Sequence, residues 1–497
     1  MKSLSIFIAA SLALSLSAWA QTAPRGDALP LSAKSAQVRR LLDQAWILDS
    51  DQVEQAQAIE VMRKVVKIDP EFAMGHEILA QISLDQAEQV NEQKQALANR
   101  SHANASEQVV IDWFQDAADH KLIPAITNMN DVLHKYPHDR WLVFLANSWL
   151  TAQTQYERAV AVYENSGITD SPGLINNAAY TYANMRKFSK AFSLMDKYVA
   201  LMPKDPNPQD SFAEILRMAG HYTIAIDHYR VALGFNPQFY SSQFGIADTY
   251  LLMGDETRAR QEYEKAFKKF PSLPELDEIR WKTRQASTYV YESDVAGGNK
   301  AFQSLADYAH DKHLSQVEAD TYRQMAMYQP AYQQALALLD KAEFALSEGH
   351  SISAIGIHQE AAQILRTRVE VAIKAGDSLA ADSAVAKLAE LSLTSNDRVI
   401  DSAFHGAAGA HLFYENKYKQ AIPHLEEDSN SPLSLKRLAT AYEKTGYISG
   451  AKQTQETLAN FNDPTVEQAL VIPAFRKCLR NPTCNVSVRN ASITTKH

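Results

Sequence analysis

Cysteine is nearly absent: Cys478 and Cys484 are the only two in the chain. That is too few for a cysteine-rich metal site, and their spacing is not the Cys-x-x-Cys of a redox pair. Concentrated positive charge is missing as well. The net charge is −9, the pI is near 5.9, and no stretch gathers lysine and arginine into a stripe, which argues against nucleic acid as a partner. After the first twenty residues no apolar run approaches the ~20 residues that cross a bilayer. No segment alternates with the period of a strand, and the chain's last part lacks the ~10-residue alternating segments expected of an outer-membrane barrel. HExxH, Gly-x-Ser-x-Gly, Walker and dinucleotide fingerprints are all absent. Gly297-Gly298-Asn299-Lys300 lacks the strand and spacing of a phosphate loop. The expectation is a protein that is not an enzyme and holds no cofactor or metal.

The fifteen histidines are scattered. His221 and His228 lie near Asp227, as ligands of a metal would. They also fall on a helix and its turn, where polar residues face solvent, and that reading fits their setting better. His405 and His411 are not spaced to share one helix face as a ligand pair would be.

At the N-terminus, Lys2, the apolar run Leu4–Leu16 and the small-x-small triplet Ala18-Trp19-Ala20 read as a secretory signal peptide, with cleavage before Gln21. Ser5, Ser11 and Ser15 interrupt the run, which is too short for an anchor. The expected location is periplasmic or secreted. In such a compartment Cys478 and Cys484 are expected to form a disulfide, with Asn481-Pro482 supplying the turn.

One motif is written twice between Pro206 and Pro271. The first copy has Phe212, Ala213, Leu216, Gly220, Ala225, Tyr229, Ala232 and Pro237. The second has Ile246, Ala247, Tyr250, Gly254, Ala259, Tyr263, Ala266 and Pro271. Each pair is 34 positions apart and six of the eight residues are identical. In each copy the first three residues share one helix face, the glycine breaks that helix, and the next three residues share one face of a second helix. The proline cannot continue it. This pattern resembles the tetratricopeptide repeat, a helix–turn–helix unit that must stack on neighbours to bury its apolar face. The second-helix alanines Ala125, Ala159, Ala191, Ala225 and Ala259 keep almost the same register over five units. The resemblance implies an all-α solenoid, a right-handed superhelix of such units in two arrays with a C-terminal capping helix.

The expected organisation is a signal peptide (1–20), a flexible lead-in (21–35), an N-terminal array (36–293), a hinge (294–299), irregular helical repeats (300–400), further repeats with the capping helix (401–480) and a polar tail (481–497). Pro473 should kink or split the last helix.

In the family it resembles, first helices line a concave groove that takes a peptide or partner helix. The positions this implies are Asn176, Tyr180, Asp210, Glu214, Phe244 and Asp248. Three are carboxylates, so the expected partner is a protein or peptide that is basic or amphipathic, with Tyr180 and Phe244 offering aromatic faces. The expected function is an interaction scaffold. The alternative is an enzyme, or enzyme subunit, with a site in the irregular region 300–393.

Overall fold

The computed structural model describes residues 28–51 and 54–480, so the expected signal peptide, most of the lead-in and the polar tail lie outside the described residues. Among the described residues there are twenty-five α-helices and no strand. Twenty-four of the helices pair into antiparallel hairpins. The first four pairs are α1 (Ala36–Trp46) with α2 (Gln55–Ile68), α3 (Ala73–Ile82) with α4 (Gln86–Ala98), α5 (Ala105–Ala118) with α6 (Leu122–Lys135), and α7 (Arg140–Ala152) with α8 (Tyr156–Ser166). Next come α9 (Pro172–Asn184) with α10 (Phe188–Leu201), α11 (Pro206–Met218) with α12 (Tyr222–Phe235), α13 (Tyr240–Met253) with α14 (Glu256–Lys269), and α15 (Glu275–Tyr291) with α16 (Val295–Asp311). The last are α17 (Ser315–Met327) with α18 (Tyr332–Glu348), α19 (Ala354–Ala375) with α20 (Ser378–Ser395), α21 (Arg398–Tyr414) with α22 (Tyr418–Glu427), and α23 (Pro432–Thr445) with α24 (Ile448–Ala459). The single helix α25 (Val466–Arg480) follows.

Local chemistry explains the boundaries. Asp205 caps α11 by accepting from the Asn207 N–H at 2.9 Å, ahead of Pro206 in the first turn, where no N–H is needed. His120, Thr154, Arg186, Gly220 and Gly254 close five consecutive hairpins, all with φ between 55° and 84°. The turn itself therefore demands the left-handed conformation, and only two of the five use the residue that adopts it freely.

Odd-numbered helices touch the next odd-numbered helix from α7 to α15 and again from α17 to α23, so they form a shared inner wall. Each even-numbered helix covers the outside of its own pair. Burial follows the same division: α13 buries eleven residues and α14 only Ala259, Tyr263 and Ala266. The array also curves back on itself. The Leu276 N–H donates to the Leu84 carbonyl at 3.3 Å, and the His120 ring stacks on His358 at 4.7 Å.

Two expectations about organisation are corrected. The stretch 294–299 is no hinge: Asp294 caps α16, its carboxylate accepting from the Gly297 N–H at 2.9 Å, and both glycines are helical. A Cβ at Gly297 would stand 2.5 Å from the Tyr289 ring, so glycine serves close packing there and α16 continues the stack. Nor does Pro473 split the final segment, because α25 runs unbroken through it.

Candidate functional site

The inner wall carries charge where a core would carry hydrocarbon. On α11, Asp210, Glu214 and Arg217 follow at four and three residues and so share one face. Arg217 Nη2 donates to Glu214 Oε1 at 2.7 Å, and Tyr180 Oη donates to Glu214 Oε2 at 2.9 Å. Asp248 on α13 stands between two guanidiniums: Arg217 Nη1 and Arg284 Nη1 each lie 3.5 Å from its Oδ2, while Tyr263 Oη donates to Oδ1. A buried ion costs several kcal/mol unless it is paired, which explains why the acid and both bases arrive together. Burial works to raise the Glu214 pKa, but Arg217 and the Tyr180 hydrogen bond outweigh it and leave the group lowered. Asp210 lacks so close a cation. Burial pushes it up to about 7, although the Ser242 hydroxyl donates to it at 2.5 Å.

The same construction continues along the wall. Arg323 Nε donates to Glu360 Oε1 at 2.8 Å, and Arg366 Nη2 donates to Asp428 Oδ2 at 2.8 Å. Arg437 grips Glu370 with two parallel bonds of 2.7 and 2.5 Å, the fork geometry that makes arginine the residue for such pairs. At Gly406 a Cβ would stand 2.3 Å from Asp428 Oδ2, so the glycine gives that carboxylate its place.

The C-terminal segment then crosses this wall. Arg186 Nη1 donates to the Asn460 carbonyl at 3.2 Å and its guanidinium lies 4.8 Å over the Phe461 ring. Asn462 Nδ2 donates to the Met218 carbonyl at 3.1 Å, and Tyr222 Oη donates to Asn462 Oδ1. Arg284 Nη1 donates to the Pro464 carbonyl at 3.4 Å. Beyond it α25 lays Val466 and Ala469 into the core shared with Trp281, and Val471 and Ile472 against Leu435, Leu458 and Phe461. A cavity of about 500 Å³ remains between Arg280, Arg284 and Arg323 on the wall and Asp463 and Glu467 on the segment. The expected cap over the last repeat is thus only part of what α25 does; it also meets α15 and α17, well back along the array.

The repeat can now be identified. Ala125, Ala159, Ala191, Ala225 and Ala259 all have 0% exposure and all sit where a second helix meets its own first helix. The fold is that of a tetratricopeptide-repeat protein. No protein-family model matches the sequence, and no curated protein matches it. Among solved structures, a tetratricopeptide repeat protein from Parabacteroides merdae is 15% identical over 54% of this chain and 92% of its own, with a TM-score of 0.36. The Cut9–Hcn1 hetero-tetramer of the APC/C is 13% identical over 82% of this chain and 76% of that one, with a TM-score of 0.39. PilW, a type IV pilus biogenesis factor, is 13% identical over 50% and 99%, with a TM-score of 0.29. At these scores the neighbours carry no argument about function, and the fold rests on the chain's own hairpins and register.

Within the tetratricopeptide array the six expected groove positions separate. Phe244 is not an open aromatic face: it has 0% exposure and stacks on Trp281 at 4.8 Å. Asp248, at 1% exposure, is a buried ion. Asp210 is buried too, while Tyr180 and Glu214 are half-buried and bonded to each other. Asn176 lies elsewhere, in a cavity of about 390 Å³ with Trp149 and Phe144, its buried Oδ1 lacking a hydrogen-bond partner. The open acidic groove is therefore corrected: Asp210 and Asp248 are buried and Glu214 half-buried, and each is already engaged, Asp210 by the Ser242 hydroxyl and the other two by arginine and tyrosine, so they give no reason for a basic partner. The arginines Arg217, Arg284, Arg323, Arg366 and Arg437 were not anticipated. Arg217 and Arg323 had a visible signal, their three-residue spacing from Glu214 and Asp320.

The other expected positions are quickly placed. His228 Nδ1 faces Gln209 Oε1 at 2.7 Å and His221 packs on Phe192, so the two do not converge. His405 faces His424 rather than His411, which bonds Asp382. In the region 300–393, His310, Glu318 and Glu348 offer ligating atoms within 4.8 Å of one another, with two of the three side chains exposed. Cys478 lies in the last turn of α25; Cys484, its expected partner, is outside the described residues.

Proposed function

We infer that this is an exported protein-interaction scaffold whose inner wall holds an extended protein segment, and that its own residues 460–465 occupy that place in the state described. The observation that supports this is the way the segment is held. Arg186 and Arg284, from two different repeats, donate to its main-chain carbonyls at Asn460 and Pro464. Main-chain recognition of an extended strand of protein needs no particular sequence, and Phe461 beneath Arg186 supplies a side-chain anchor. A partner segment with an aromatic anchor could make the same bonds. The inner carboxylates support a scaffold over an enzyme, because cations or hydroxyls of the wall already engage them.

Asn462→Ala with Arg476→Ala removes the bonds that pin the segment to Met218 and Tyr222 and tie its Phe461 carbonyl to α25. In the full chain this variant should cross-link to a discrete envelope protein more strongly than wild type does. If both forms stay folded by circular dichroism and neither retains a protein, the scaffold reading fails.

Export rests on Lys2, the apolar run and Ala18-Trp19-Ala20. The protein recovered from the periplasm or medium should begin at Gln21 and show no free thiol without reduction, Cys478 and Cys484 being bonded. An intact Met1, or two reactive thiols, would refute it.

A further inference from the structure

A cavity of about 560 Å³ lies among the first repeats. Residues 28–31, α1 and the π-helical turn Ile47–Asp51 form one side, and α3 with the chain just before α7 and α9 forms the other. Its volume is that of a small-molecule site. Leu29, Met62 and Ile78 are buried in its walls, and the indoles of Trp46 and Trp141 stand half-buried at its edge.

Most of the polar groups around the cavity are already committed. Asp139 accepts from the Leu29 N–H at 2.7 Å and the Leu142 N–H at 2.8 Å. Arg140 bonds both oxygens of Asp170, at 2.9 and 3.0 Å, and His138 Nδ1 meets the Ser166 carbonyl at 2.8 Å. Two carboxylates remain, Asp43 and Asp49. Neither has a hydrogen bond or ion pair from a side chain among the described residues. The π-helical turn aims Asp49 into the cavity, and the turn is held from behind. Ser50 Oγ donates to the Trp46 carbonyl at 2.7 Å, and the Ser50 backbone rests on α9 where a Cβ at Gly173 would stand 2.3 Å from its oxygen.

We propose that this cavity is a binding site for a small organic amine: an apolar body between Trp46, Trp141, Met62 and Ile78, with its ammonium group on Asp49. Among the described residues Asp49 has no cation beside it and Asp43 stands exposed at the rim, so the lining disfavours an organic anion. The indole faces add attraction for the cation. Without a ligand, burial pushes Asp49 up to about 7 and raises Asp43, and an ammonium group beside Asp49 would reverse that penalty. The cavity takes no lining residue from 460–465, so the proposal stands or falls separately from the scaffold reading.

Isothermal titration of the full chain with phenylbutylamine, phenylbutanol and phenylbutyrate compares one apolar body carrying three different heads. The amine should saturate at one per chain, the alcohol should bind about tenfold more weakly or less, and the acid should not bind. Asp49→Asn should bring the amine down to the level of the alcohol and leave the alcohol unchanged. Because Asp49 is uncompensated, that variant should melt no lower than wild type. Met62→Trp, which fills the cavity, should weaken amine and alcohol together. The proposal is overturned if the acid binds as well as the amine, if Asp49→Asn keeps the preference for the amine, or if none of the three probes saturates.

Discussion

Asp248→Lys should unfold the middle of the array. The carboxylate is 1% exposed, lies 3.5 Å from both Arg217 and Arg284, and accepts from Tyr263. Removing one partner of a buried pair costs about 3–5 kcal/mol, because the remaining charges stay buried without compensation. Lysine adds to that loss a third cation beside two arginines. Asp248→Asn should cost less, since its one amide oxygen still accepts from Tyr263 or from the arginines and no third cation is added. Urea melts of the two variants should rank lysine well below asparagine, and asparagine below wild type. Had Asp248 faced an open groove, either change would stay within roughly 0.5 kcal/mol. A lysine variant that melts like wild type would therefore restore the groove and remove the buried network.

Glu77→Gln should be increasingly stabilising as pH rises from about 4.5 to about 8, and most strongly above that. Glu77 lies in α3 at 1% exposure; Gln81 Nε2 donates to its Oε1 at 2.8 Å, and its Oε2 has no hydrogen-bond partner. Burial pushes its pKa from 4.5 up to about 8, with the Gln81 bond pulling weakly the other way. Between those values the folded chain keeps a proton that the unfolded chain has released. The stability tied to this group is complete below pH 4.5 and is lost as pH rises through about 8. At ~1.36 kcal/mol per unit, the loss is roughly 3–5 kcal/mol. Glu360 and Asp210, both pushed up to about 7 mainly by burial, act in the same direction. Wild type should thus melt at a higher temperature near pH 6 than above pH 8. Glutamine cannot ionise, so the variant should match wild type in acid, exceed it in base and show a flatter profile. An unchanged profile would mean that Glu77 is solvated.

The comparison of readings turns on period against distance. The alanine register and the paired prolines and glycines predicted hairpins, and the hairpins are there, because close helix contact requires a small residue at the same point of every unit. The region 300–393 matched the repeat poorly, yet α17 to α20 stack like the rest; α19 and α20 are simply longer, at 22 and 18 residues. The glycines at 297 and 298 looked like a flexible break, because a sequence does not show that a tyrosine ring lies against them.

The inner positions show the limit most clearly. The repeat register correctly put Asp210, Glu214, Phe244 and Asp248 on first helices, and first helices do form the inner wall. It could not show that Arg284, two repeats from Glu214, would complete the ion network, nor that residues 460–465 would lie across it. Those partners are 36 and more than 200 positions away from Asp248 and Arg186 respectively.

By itself, then, the sequence determined everything set by spacing within one repeat: the helix pairs, their tight contacts, their turns and the all-α solenoid. These are local, since a helix face is defined by residues three and four apart. Only the tertiary structure decided which inner charges are buried, which arginine meets which acid, that the C-terminal segment lies on the wall, and that Asp49 faces an apolar cavity without a partner. Each of those depends on how far the stack curves before distant repeats meet, a sum of small rotations between neighbours that no single repeat records.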